Sequence, residues 1–173
     1  MGENNKTYRL AVLAMMTALC HVGRIAFQFL PNVQPVTVIV LILTLVMGVP
    51  DGLTVGVLSI FLSNLTLGMG TWTIAQITSY TVLVLLTGLL RPFRHHKMFY
   101  PCFALFAGVS GYLYGLIISL VQAPFFGIKK FWVYYMAGIP FDTMHALGNL
   151  GFYLILAPIL IPLIQKGLKR KKV

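Results

Sequence analysis

Apolar residues fill the chain in successive runs, most of them near the roughly 20 residues that carry a helix across a bilayer. These runs predict six transmembrane helices, at about 8–29, 37–49, 52–67, 73–90, 99–123 and 136–165, within one membrane domain covering 1–173. Short breaks separate them. The segment Leu30 to Val36 holds Pro31 and Pro35, which exclude regular helix, and it reads as an outer loop folded over a cavity mouth. Pro50-Asp51-Gly52 reads as a tight turn ending the unusually short second span. Gly68 to Trp72 and Pro124 to Trp132 read as further loops. The fold class is all-α, a compact integral-membrane bundle of six helices.

Small residues recur at helical spacing inside the spans. Ala11, Ala14 and Ala18 fall at i, i+3 and i+7 and leave one smooth side of the first span, for packing within the bundle or for docking of another subunit. Gly52, Gly56, Ser59 and Ser63 form a similar seam on the third span, and Gly108, Gly111 and Gly115 on the fifth.

Polar groups inside such spans are costly in hydrocarbon, so they are expected to face protein or water. Arg24 stands in the apolar run that leads into the proline loop, with Gln28, Asn32 and Gln34 close behind. Asn64, Trp72, Gln76 and Tyr80 flank the third loop, and Trp132 lies near the fifth. Trp72 suits either an interface anchor or a ligand stack. Asp142, His145 and Asn149 lie at i, i+3 and i+7, which puts all three on one face of the last helix. That stripe is a binding-site candidate, while Asp142 paired with Arg24 or His145 would neutralise itself inside the bundle.

Composition agrees with a membrane body: 58% of the 173 residues are hydrophobic, 9% are charged, and the mean hydropathy is +0.88. Thirteen Lys and Arg against three acids give a net charge of +10. The basic residues sit in short clusters at span ends, which reads as topology and not as a nucleic-acid surface. With six spans, Lys6, Arg9, Arg91, Arg94, Lys97 and the tail from Lys166 to Lys172 share one side, and Arg24, Lys129 and Lys130 take the other. Both termini are therefore expected in the cytoplasm, and the polar positions gather in the outer halves of their helices. Cys20 and Cys102 read as packing residues, without a metal or disulfide spacing.

Catalysis by this chain is not expected. Beyond Glu3 the acids are Asp51 and Asp142, far apart, and no metalloprotease, nucleophile-elbow or phosphate-loop motif occurs. His95 and His96 lack a third ligand, so no metal or other cofactor is expected. No repeat of two halves suggests a self-contained transporter. A scaffold that merely binds other helices is the competing class.

The whole chain resembles the S components, the substrate-capturing membrane subunits of energy-coupling factor (ECF) vitamin transporters. The likeness rests on the small size, six spans, Ala14-x-x-x-Ala18, the Pro-Asn-Val-Gln-Pro-Val-Thr loop at 31–37, and Asp142-x-x-His145-x-x-x-Asn149. The resemblance implies a vitamin binder of the bacterial cell membrane that joins a transmembrane coupling protein and two cytoplasmic ATPases. It implies contact with the coupling protein through Ala14 and Ala18, with Ala11 beside them, and delivery inward by toppling. The Gly23 to Thr37 pattern looks most like the cobalamin type, with pantothenate as the alternative, its carboxylate suiting Arg24.

Overall fold

The computed structural model describes residues 3–96 and 98–169. It has six α-helices: α1 (Glu3–Ala26), α2 (Val36–Val46), α3 (Val49–Leu67), α4 (Thr71–Leu90), α5 (Phe99–Phe125) and α6 (Phe131–Lys169), with a 3-10 turn at Arg91–His95 between α4 and α5. Five of them are long and apolar enough to cross a membrane, and α2, with 11 residues, is not.

The bundle is organised around α2. Each residue from Val36 to Leu45 is buried, and the helix packs against all five others. Its sequence, VTVIVLILTLV, is apolar all round apart from two threonines, as a core helix should be. Contacts at both ends fix the direction of its neighbours. Arg9 of α1 meets Asp51 of α3 at 2.6 Å near their N-termini, and Arg24 of α1 meets Ser63 and Asn64 of α3 near their C-termini. So α1 and α3 run parallel, and residues 27–48 carry the chain back between them. The pairs Tyr112 with Thr143, Gly111 with Ala146 and Ser110 with Asn149 make α5 and α6 antiparallel.

Several helix ends differ from the sequence expectation, each for a local reason. The first span stops at Ala26 rather than 29, where Phe27–Leu30 turn through bonds of their own. Pro50, Asp51 and Gly52 do not make the turn. Gly48 does, with φ 124°, a conformation only glycine adopts easily, and Pro50 then occupies the first turn of α3, where its missing N–H is harmless. The fifth helix continues past 123 to Phe125 and closes as a Schellman motif: Gly127, φ 62°, bonds Pro124 O at 3.2 Å while Ile128 N–H reaches Ala123 O at 2.9 Å. The last helix starts at Phe131, not 136, and runs 39 residues despite Pro140, Pro158 and Pro162. Trp72 and Trp132 consequently stand in the first turns of α4 and α6, not in loops.

Large apolar side chains face outward all round, among them Leu10, Met15, Phe61, Leu89, Leu105, Leu154 and Ile159, while Ser59, Ser63, Asn64, Ser79, Asp142, His145 and Asn149 are buried. Apolar exterior over a partly polar core is the pattern of a body solvated by lipid.

Candidate functional site

The loop between α1 and α2 folds back across the end of the bundle that holds the C-terminus of α1. Three contacts fasten it. Pro35 packs against Gly23, where a side chain on the glycine would collide with the ring, Val33 lies over Gly148 of α6, and Asn32, at φ 57°, donates to Phe141 O at 3.4 Å. Behind the loop is a cavity of about 440 Å³.

Its first wall is a polar relay across three helices. Arg24 Nη1 donates to Ser63 Oγ at 2.5 Å and to Asn64 Oδ1 at 3.1 Å. Asn64 Nδ2 in turn donates to Thr73 Oγ1 and to Gln76 Oε1, both at 2.8 Å. The guanidinium is thereby held on one edge by α3 and α4, while Arg24 itself lines the cavity. A cation in the last turn of α1 is also favoured by the helix dipole.

The second wall comes from α5 and α6. Asp142 lines it with its carboxylate packed over Gly115, where a Cβ would displace the carboxylate, and Tyr114, Tyr134 and Phe141 add aromatic surface. Asp142 forms no ion pair with Arg24 or His145; the ion pair among the described residues is Arg9 with Asp51. The floor is built from Tyr114, whose ring meets His145 at 4.8 Å and Tyr80 at 5.3 Å. Under it, Thr37 Oγ1 lies 2.9 Å from His145 Nε2 and 3.3 Å from the Tyr80 hydroxyl.

Of the twelve residues singled out in the sequence, Arg24, Asn32, Gln34, Trp72, Gln76 and Asp142 line this cavity. Asn64 stands behind Arg24, bracing it. Tyr80 and His145 lie below the floor, and Asn149 is deeper still, donating to Ser110 Oγ at 3.3 Å. Gln28 is exposed outside it, and Trp132 is 69% exposed, its ring meeting those of its helical neighbours Phe131 and Tyr135. Sequence reasoning missed Tyr114 and Tyr134. The signal for Tyr114 was the stripe Gly111, Tyr114, Gly115, Ile118, at i, i+3, i+4 and i+7.

Three larger depressions lie elsewhere: one of about 580 Å³, beside Arg94 and His95 at the opposite end of the bundle, is partly polar, and two are mainly apolar. Of the apolar two, one, of about 510 Å³, lies between the start of α5 and the later part of α6; the other, about 710 Å³, runs between α1 and α3 along Ala14, Thr17 and Ala18. No three His, Cys, Asp or Glu side chains among the described residues are placed to hold a metal.

The apolar exterior, the long apolar helices and the charged cavity under a latched loop are the features of a multi-pass membrane protein with a binding-site-sized cavity. The chain matches the family model "ECF transporter, substrate-specific component" over residues 8–161, and it belongs to that family. It is thus a substrate-binding subunit of an ECF transporter. Neither the curated proteins nor the solved structures yield a match to it.

Proposed function

We propose that this subunit captures a small vitamin from outside the cell in the cavity bounded by Arg24 and Asp142, and passes it inward with an ECF module of one coupling protein and two ATPases. The observation that carries the reading is the relay Ser63, Asn64, Thr73 and Gln76 behind Arg24, which holds one edge of a cation that lines the cavity. A charge preorganised in this way binds an anionic or carbonyl group without first having to be ordered. The volume, about 440 Å³, lies in the lower part of the roughly 300–1,000 Å³ typical of drug-sized ligands. It favours a solute of pantothenate size over a corrinoid, a macrocycle with an appended nucleotide.

In this reading the cavity faces outward, both termini are cytoplasmic, and the return leg through α2 supplies a sixth crossing. The groove along Ala14 and Ala18, with exposed Ala11 beside it, receives the coupling protein. Small residues let a partner helix approach closely.

The test is native mass spectrometry of gently purified protein, followed by calorimetry with the released molecule. A retained vitamin that rebinds in the nanomolar range supports the reading; a protein that carries and binds none refutes it and leaves the scaffold alternative. Ala14→Trp should keep solute binding and lose co-purification with the coupling protein, and normal co-purification would remove α1 from the interface.

A further inference from the structure

The cavity carries opposite charges on different groups of helices. Arg24 belongs to the wall of α1, α3 and α4; Asp142 belongs to the wall of α5 and α6. Their situations differ in one respect. Arg24 has partners in Ser63 and Asn64, whereas Asp142, 5% exposed, has neither a hydrogen bond nor an ion pair among the described residues. Within the bundle His145 Nε2 is taken up with Thr37 and the Tyr134 hydroxyl with Gln122, while His145 Nδ1 stays buried without a partner and does not meet the carboxylate.

A carboxylate held in a buried site without a donor is unfavourable, and such groups persist where something else satisfies them. Here the surrounding protein does not, and the carboxylate opens on the cavity. A structural role for Asp142 would require a partner within the bundle. A binding role requires one on the ligand.

We propose that the captured solute is amphoteric, with an ammonium or the paired N–H edge of an amino-substituted heterocycle for Asp142, and a carboxylate or phosphate for Arg24. This rests on the capture reading above and narrows it. An ionised carboxylate only accepts and a guanidinium only donates, so the two ends of the ligand cannot be exchanged. A solute with an anionic group alone leaves Asp142 unpaired and adds a like charge to the cavity, which selects against it. The aromatic surfaces of Trp72, Tyr114 and Tyr134 suit a flat body between the two ends.

The experiment uses the full chain in lipid nanodiscs. The molecule released from the purified protein is identified, and a probe set is titrated beside it: folate and pyridoxamine 5′-phosphate as amphoteric, pantothenate and pyridoxine 5′-phosphate as anionic, thiamine as cationic, pyridoxine without charge at its periphery. The released molecule, or the tightest probe, should carry both groups. Asp142→Asn should weaken that ligand by about ten- to a hundredfold, the usual effect of losing a charge-assisted bond. It should not lower the melting temperature of the empty protein, because it removes an unpaired charge.

A released molecule or tightest probe that lacks either group overturns the inference and leaves vitamin capture standing. So does an Asp142→Asn variant with unchanged affinity, or one whose empty form melts lower, the mark of a structural carboxylate. A protein that releases nothing and binds no probe overturns the capture reading as well.

Discussion

Replacing Asn64 by alanine tests whether the relay behind Arg24 is what holds that end of the bundle together. The side chain is 1% exposed and makes three bonds, donating to Thr73 and Gln76 at 2.8 Å and accepting from Arg24 at 3.1 Å. Hydrogen bonds between side chains in membrane bundles average about 0.6 kcal/mol, and those to a charged group are stronger. Three of them give about 2 kcal/mol, a factor of roughly 30 in the unfolding equilibrium. For a chain of this length that corresponds to a fall of roughly 4–8 °C in melting temperature. The two cysteines provide the assay. Cys20 is fully buried and Cys102 exposed, so in a Cys102→Ser background a thiol-reactive dye reports only the opening of the core. Thr78→Ala is the control, since Thr78 bonds only its own helix, to Ile74 O, at an exposed position. Solute affinity should fall with Asn64→Ala as well, because the guanidinium loses one brace. An Asn64→Ala protein that melts with the Thr78→Ala control and binds solute as the parent does would refute the relay.

Three further outcomes follow from contacts elsewhere. Gly111→Ala should cost most of the folded yield in detergent, since its new carbon would lie 2.5 Å from Ala146 N and 2.7 Å from Ala146 Cα, whereas Gly138→Ala, with open space around it, should be harmless; equal yields would deny the close approach of α5 and α6. Arg9→Met should destabilise by about 2 kcal/mol, below the roughly 3–5 kcal/mol of a fully buried pair because Arg9 is 39% exposed, and adding Asp51→Asn should restore more than half; no recovery in dye-monitored melting would mean that the pair is not the cause. Cysteines introduced at 34 and 95, with the native thiols removed, should label from opposite faces of sealed vesicles, and labelling from the same face would refute the six-span topology.

The last helix shows what the sequence can and cannot report. The spacing of Asp142, His145 and Asn149 assigned them to one face, and all three are buried at 5%, 1% and 0% exposure. Spacing gives a face but not a depth. Seven residues of helix rise by about 10 Å, so Asp142 reaches the cavity while Asn149 sits far beneath its floor. Trp132 failed for a related reason: α6 begins five residues earlier than its apolar run suggests, which places the indole on an exposed helical face. On α5 the Tyr112 hydroxyl is 3.0 Å from Thr143, and Tyr114, two positions on and therefore about 200° around the helix, is the tyrosine in the cavity. By contrast Arg24, Gln76 and the proline loop were legible because polar groups and helix breakers in an apolar run have few places to go.

Helix α2 is too short to cross a bilayer, and its burial is what the proposed sixth crossing rests on. Its 11 residues reach about 16 Å against a hydrocarbon core of about 30 Å. Length matching applies to a helix that lipid surrounds, and no residue from Val36 to Leu45 meets lipid. What such a helix needs is partners for its end groups. At the cytoplasmic end of this reading, Arg91 donates to Leu45 O at 3.1 Å and Val46 O at 3.4 Å, and Arg94 donates to Leu45 O at 3.2 Å. At the other end Pro35, which has no N–H to satisfy, precedes the helix and accepts from Ile39 at 3.0 Å. The same helix therefore blocks the bundle beneath the cavity, and it is bolted to the turn after α4. A solute moving inward through the subunit would have to displace the most buried element of the fold together with both arginines. Moving the subunit as one body leaves that core intact and disturbs only an exterior already matched to lipid, which is why delivery by toppling, with a coupling protein supplying the work, is the more economical proposal.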